Sequence, residues 1–211
     1  LIFNPTEFYE ELAQKYPEEL MLNSSENGIR LYREICEFLD SAQGSLIEFG
    51  CGGGRYGVHY KNGPYTGIDI APTHIKVAKI RCDFEETAFT KEFFILDITD
   101  EILRTRPTYD LLLMTEVIEH LPDFGSLFEN IRNQTHPNST ILITTPLKNT
   151  PNYDPWKTSS ILESFGISTT YYHNAFYPIE LESILKAEGF EVISSKVSFR
   201  HIFIKCKKGV V

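Results

Sequence analysis

From residue 45 onward, short runs of β-branched, aromatic and aliphatic residues alternate with segments whose apolar positions recur at helical spacing. The runs predict strands at Ser45–Phe49, Tyr65–Asp69, Glu92–Leu96, Tyr109–Met114 and Thr140–Thr145. Between them, Pro72–Cys82 carries Ile75, Ala78 and Lys79 on a helical repeat, and Gly125–Gln134 carries Leu127, Phe128 and Ile131. This alternation is the mark of βαβ units, so the expected class is α/β with a doubly wound, mostly parallel sheet. Pro178–Glu188 reads as a further helix, with Pro in its first turn and Gly189 just past its end. Phe190–Val197 and Phe199–Cys206 follow with almost nothing between them. A parallel crossover needs a dozen or more residues, so these two strands form an antiparallel hairpin at the C-terminal side.

The first 44 residues carry a different pattern: two helices, Thr6–Tyr16 and Ser25–Leu39, with Ser24 or Ser25 as N-cap of the second. They form an N-terminal helical cap over 1–44, ahead of the main unit over 45–211, the two making one globular body. The cap serves either as a packing layer or as a lid over a cleft at the carboxyl edge of the sheet.

Composition narrows the partners. The chain has 211 residues, 42% hydrophobic and 23% charged, which is the balance of a soluble globular domain. Its 20 Lys and Arg against 29 Asp and Glu give a net charge of −9, which disfavours duplex DNA and anionic lipid. Cys36, Cys51, Cys82 and Cys206 show no paired spacing, so a cytoplasmic, reducing setting is expected rather than a disulfide or zinc framework. No run approaches the ~20 apolar residues of a membrane span. The chain begins with Leu1, which suits a trimmed chain or an excised domain.

The candidate chemistry starts at Glu48-Phe-Gly50-Cys51-Gly52-Gly-Gly54, glycines placed directly after the first strand and before a helix. A dinucleotide fingerprint would need Gly or Ala where Arg55 stands, and a P-loop would need Gly-Lys-Ser/Thr. Two more acids, Asp69 and Asp97, end the second and third strands. One acid after a strand is most often a cap, whereas three on successive strands beside a glycine loop are hard to explain that way. The acid followed by alternate glycines resembles motif I of class I S-adenosylmethionine (SAM)-dependent methyltransferases. The likeness runs on through Tyr109–Pro122, Ile141–Pro146 and Phe176–Phe190 and covers about residues 45–206.

That resemblance implies a Rossmann-like fold, SAM as cofactor, and cofactor contacts from Glu48, Gly50, Cys51, Gly52, Gly54, Asp69, Ile70, Asp97, Ile98 and Thr115. Glu48 would hold the ammonium, Asp69 the ribose hydroxyls and Asp97 the adenine amino group. For the transfer itself the candidates are Glu116, His120 and His173, with Glu119, Tyr171 and Tyr172 beside them, each with an ordinary capping or packing role as the alternative. Glu116, Glu119, His120 and His173 together resemble the metal set of 2′-O-methyltransferases acting on small-RNA 3′ ends, and part of it recurs in ubiquinone-biosynthesis O-methyltransferases. Two imidazoles with carboxylates suit Mn, Fe, Co or Zn. The lead expectation is methylation of a small molecule on oxygen or nitrogen, in a pocket lined from the aromatic insert Tyr153, Trp156, Phe165, Tyr171, Tyr172 and Phe176. The alternatives are metal-dependent 2′-O-methylation of an RNA 3′ end and a non-catalytic cofactor-binding subunit. The oligomeric state stays open.

Overall fold

A computed structural model describes residues 4–15, 26–105, 107–149, 154, 156–157, 164 and 171–209. The central sheet contains β1 (Leu46–Phe49), β2 (Tyr65–Asp69), β3 (Lys91–Ile95), β4 (Tyr109–Thr115), β5 (Thr135–Pro146), β8 (Phe190–Ser198) and β9 (His201–Lys208). A separate two-stranded ribbon pairs β6 (Trp156–Lys157) with β7 (Tyr171–Tyr172). The helices are α1 (Pro5–Lys15), α2 (Glu26–Ser41), α3 (Arg55–His59), α4 (Pro72–Asp83), α5 (Gly125–Gln134) and α6 (Pro178–Ala187). No helix among the described residues is long and apolar enough to cross a membrane.

The seven strands lie in the order β3-β2-β1-β4-β5-β9-β8, with β1 parallel to both β2 and β4. The order reverses between β1 and β4, which opens a crevice at their carboxyl ends where α/β sheets bind ligands. β9 runs antiparallel to both β5 and β8, as the short connection requires. Phe199 and Arg200 form that connection with φ of 45° and 68°, the two positive values of a tight hairpin turn.

Side-chain alternation along the strands builds two cores. Ile47, Phe49, Leu112 and Met114 pack with Leu127, Ile131 and Leu181 from α5 and α6, whereas Leu46, Leu111 and Leu113 pack with Ile35, Leu39 and Ile75 from α2 and α4. Burial on both faces explains why β4 reads as a continuous apolar run.

Several boundaries differ from the sequence expectation, most of them by one residue. β5 starts at Thr135 rather than Thr140, because Thr135 already pairs with Tyr109 across an irregularity that apolar patterning does not register. The hairpin strands reach Ser198 and Lys208 because Ser198 still pairs with His201 and Phe190 with Lys208, and the second starts at His201 instead of Phe199 because Phe199 and Arg200 make the turn. α2 runs on to Ser41, while Tyr16, Ser24 and Ser25 lie outside the described residues.

Candidate active site

The glycine loop turns because three alternate residues adopt left-handed backbone: Gly50, Gly52 and Gly54 have φ of 73°, 50° and 76°. Such angles cost an L side chain about 1–2 kcal/mol each. At Gly50 a Cβ would also stand 2.3 Å from the Val117 methyl. At Gly54 it would stand 2.7 Å from Ala78 Cβ, so this glycine admits α4 against the loop instead of facing the crevice. Gly54→Ala is therefore expected to destabilise the fold by about 2–4 kcal/mol, from left-handed backbone plus overpacking, read as a fall in melting temperature.

The acids close around this loop. Glu48 is buried and accepts a hydrogen bond from the Tyr65 hydroxyl. Asp69 Oδ2 accepts from Gly52 N–H at 2.8 Å and Oδ1 from Ala71 N–H at 2.9 Å, while His74 Nδ1 lies 3.4 Å from Oδ1. Asp69 thus fixes the loop before any ligand arrives. Asp97 Oδ1 accepts from the Thr99 amide at 2.8 Å and hydroxyl at 2.7 Å, leaving Oδ2 for a ligand.

Glu48, Gly50, Cys51, Gly52, Asp69, Ile70, Asp97, Ile98 and Thr115 all line one cleft of about 790 Å³. Glu116, Glu119, His120, Tyr171 and His173 line the same cleft, which brings the expected cofactor and transfer residues together. The N-terminal cap forms its roof through Phe8, Tyr9, Leu12 and Leu31. Glu10 anchors that roof by accepting from the Thr73 amide at 2.9 Å and hydroxyl at 2.6 Å at the start of α4.

Beyond β4, Ile118–His120 is a single 3₁₀ turn. His120 Nδ1 lies 3.2 Å from the Tyr172 carbonyl, so Nδ1 carries the proton and Nε2 keeps a lone pair. Nε2 stands 3.9 Å from Glu119 Oε1, and Glu119 Oε2 accepts from the Thr145 hydroxyl at 3.0 Å. The His120 and His173 rings meet edge to face with centroids 5.0 Å apart. Ligand atoms of Glu119, His120 and His173 lie within 4.8 Å of one another.

Glu116 stands apart from Glu119, His120 and His173, with which the resemblance groups it. Its φ of 55° turns it away from them, and its carboxylate takes a hydrogen bond from Thr144 at 3.2 Å and faces His201 Nε2 at 3.3 Å. It belongs to a separate pair at the cleft wall.

A family model described as a methyltransferase domain matches residues 23–195 of the chain. The chain belongs to the methyltransferase family. Among curated relatives, it is 24% identical over 151 residues to a ubiquinone biosynthesis O-methyltransferase of Azorhizobium caulinodans, covering 70% of this chain and 58% of that protein. It is 22% identical over 159 residues to one of Hydrogenovibrio crunogenus, covering 74% and 65%. The chain therefore spans about 58–65% of the length of these relatives. Among solved structures, a DhpI–SAH complex superposes with a TM-score of 0.74 at 17% identity, over 98% of this chain and 96% of the other. The [4+2]-cyclase SpnF superposes with a TM-score of 0.67 at 13% identity, over 84% and 81%. The chain carries a methyltransferase domain, and its sheet has the Rossmann-like fold of these neighbours.

The electrostatics around His120 and Glu119 follow largely from burial. Burial, then the neighbouring His173, pushes His120 down to about 3. Burial, then the Glu116 charge, raises the Glu119 carboxyl well above its ordinary range. His201 is raised by the Glu116 carboxylate against an opposing effect of burial, which agrees with a ring whose Nδ1 also lies 3.0 Å from the Phe199 carbonyl.

Sequence reasoning missed Tyr9, His74 and His201, whose positions in the cleft come from packing of distant segments. Of the aromatic insert, Tyr171 lines the cleft and stacks on Phe8 at 5.0 Å. Phe176 instead belongs to the core beside Phe124. Tyr153 and Phe165 lie outside the described residues, as does the side chain of Trp156.

Proposed function

We propose that the protein transfers the SAM methyl group to an oxygen of a small hydroxylated molecule. The observation that carries this reading is His120, with Nδ1–H held by the Tyr172 carbonyl and Nε2 unprotonated in the cleft beside buried Glu119. A fixed lone pair there accepts a hydrogen bond from an acceptor hydroxyl and orients its oxygen toward the methyl group. As the O–C bond forms, the C–S bond breaks, its electron pair stays on sulfur, and the hydroxyl proton passes to the His120–Glu119 pair. Burial raises the Glu119 carboxyl, which makes its ionised form the stronger base of the pair and the place where that proton comes to rest. The names of the curated relatives, O-methyltransferases of ubiquinone biosynthesis, support oxygen as the acceptor atom. The net charge of −9 supports a small molecule over an RNA 3′ end.

Methyl-labelled SAM offered with catechol and, separately, with a short RNA bearing a free 3′ end tests the reading. Label is expected in catechol, and label in the RNA alone overturns the proposal.

A second reading has its own observation, the clustering of Glu119, His120 and His173 ligand atoms within 4.8 Å. Two ligands of one ion with bonds of about 2.0–2.2 Å lie up to about 4.4 Å apart, so a small closure fits this set. A divalent ion there would acidify the acceptor hydroxyl. On this reading chelation lowers turnover at least about tenfold and manganese or zinc restores it, with SAM affinity unchanged. Full activity after chelation returns the three residues to proton handling alone.

A further inference from the structure

Glu116 has no part in the proposed transfer, yet three unusual backbone angles converge on it. Glu116 itself has φ of 55°, and Phe199 and Arg200, at 45° and 68°, make the turn that brings His201 to its carboxylate. These are the non-glycine residues with left-handed backbone among the described residues. Such angles persist where the surroundings over-determine them, and they gather at ligand sites.

The result is a carboxylate with a fixed orientation. Oε1 accepts from the Thr144 hydroxyl at 3.2 Å, and Oε2 faces His201 Nε2 at 3.3 Å. His201 Nδ1 lies 3.0 Å from the Phe199 carbonyl, so both ring nitrogens face acceptors and both carry protons. A carboxylate offers about four lone-pair positions, which leaves two on Glu116 for a ligand. The Glu116 side chain is 29% exposed and lines the cleft.

Its place along the cleft is set by the glycine loop. The Val117 methyl lies 2.3 Å from where a Cβ on Gly50 would stand, so Glu116 adjoins the first turn of that loop. Glu48 lies near it on the floor, since the charges of both acids add to the burial that raises the Tyr56 hydroxyl. Glu48 pairs in register with Leu113, three residues before Glu116 on the same path out of the sheet, and it is buried under the hydrogen bond from the Tyr65 hydroxyl. No lysine or arginine among the described residues lines the cleft.

We infer that Glu116, rather than the deeper Glu48, receives the ammonium of the cofactor's amino-acid end. That end is a zwitterion whose carboxylate stands one carbon from its ammonium, and the Glu116–His201 pair offers it one charge of each sign. On this inference the ammonium sits on the exposed carboxylate, and Glu48 with Tyr65 forms the floor below it. The inference rests on SAM as cofactor and is independent of the acceptor atom.

The test titrates wild type, Glu116→Gln and Glu48→Gln calorimetrically with S-adenosylhomocysteine and with its deaminated analogue, in which hydrogen replaces the amino group. Wild type is expected to bind S-adenosylhomocysteine at least about tenfold more tightly than the analogue, as a charge-assisted hydrogen bond allows. In Glu116→Gln this ratio is expected to fall to about threefold or less through weaker binding of S-adenosylhomocysteine alone, whereas Glu48→Gln keeps it within about twofold of wild type. Each Gln retains an oxygen for its neighbouring hydroxyl, so melting temperatures are expected to show both variants folded. A ratio that survives in Glu116→Gln, or that collapses in Glu48→Gln, overturns the inference. Equal losses for both ligands in Glu116→Gln also overturn it, since they mark a structural role. A wild type that binds both ligands equally removes the inference alone, while one that binds neither removes the cofactor reading and the inference together.

Discussion

His120→Ala is expected to lower methyl transfer by about 10²–10⁴-fold, the usual worth of a positioned proton acceptor, with the SAM dissociation constant within about twofold of wild type. The separation follows from the proposed roles: His120 would face the acceptor, whereas Glu48, Asp69 and Asp97 line the part of the cleft proposed for the cofactor. Steady-state kinetics with calorimetry checks both halves, and equal losses in rate and SAM affinity would remove His120 from the acceptor side. A pH signature accompanies it. His120 falls from an ordinary value of 6.5 to about 3 in the folded chain, so between these values the unfolded chain binds the extra proton. Its contribution to stability is complete above about 6.5 and is lost as pH falls toward about 3. Melting curves at descending pH should therefore show a shallower acid loss for His120→Ala than for wild type.

Asp69→Ala is expected to weaken SAM binding by more than about tenfold, because two ribose hydroxyls lose a charged acceptor, at about 1.5–3 kcal/mol. A carboxylate offers about four lone-pair positions, so the bonds from Gly52 and Ala71 leave room for both hydroxyls. The same two amides lose their partner in the variant, so a fall of about 1–3 kcal/mol in stability accompanies the binding loss. Asp69→Asn, which keeps one carbonyl oxygen, should retain more of the stability than of the affinity. Calorimetry and melting separate the two, and wild-type SAM affinity in Asp69→Ala would move the ribose elsewhere.

That the glycine loop and the three strand-end acids share one cleft was legible because it is written locally. Glu48, Asp69 and Asp97 end strands, and the loop glycines follow one of them, so strand prediction and placement come together. Gly54 shows the limit of that reading: its left-handed turn was visible as a glycine, but the Ala78 contact that requires it joins two helices. The acceptor half was only partly legible. His120 and His173 stand out as residue types, yet the Tyr172 carbonyl that fixes the His120 tautomer arrives through a short ribbon with little apolar signal. Tyr9 sits in a helix whose pattern says only that one face is apolar. Its meeting with His120, 111 residues away, is decided by how α1 is anchored on α4. Glu116 lies apart from Glu119 and His120 for a backbone reason, since nothing in the sequence announces a φ of 55° at a glutamate.

The placement of β9 between β5 and β8 has a consequence for how the protein is made. Ile141 pairs with Cys206 and Pro146 with His201, so the strand that fills the gap leaves the ribosome after both of its neighbours. Until it does, β5 presents an open, apolar border, and β8 has no partner through which to join the sheet. Long-range pairings of this kind form slowly and leave strand borders available to other chains. Glu116 gains its His201 partner only at that last step, so the cleft wall is finished after the cofactor loop. A nascent chain halted before His201 should thus already possess the β1–β4 crevice while remaining dependent on chaperones to keep β5 from self-association.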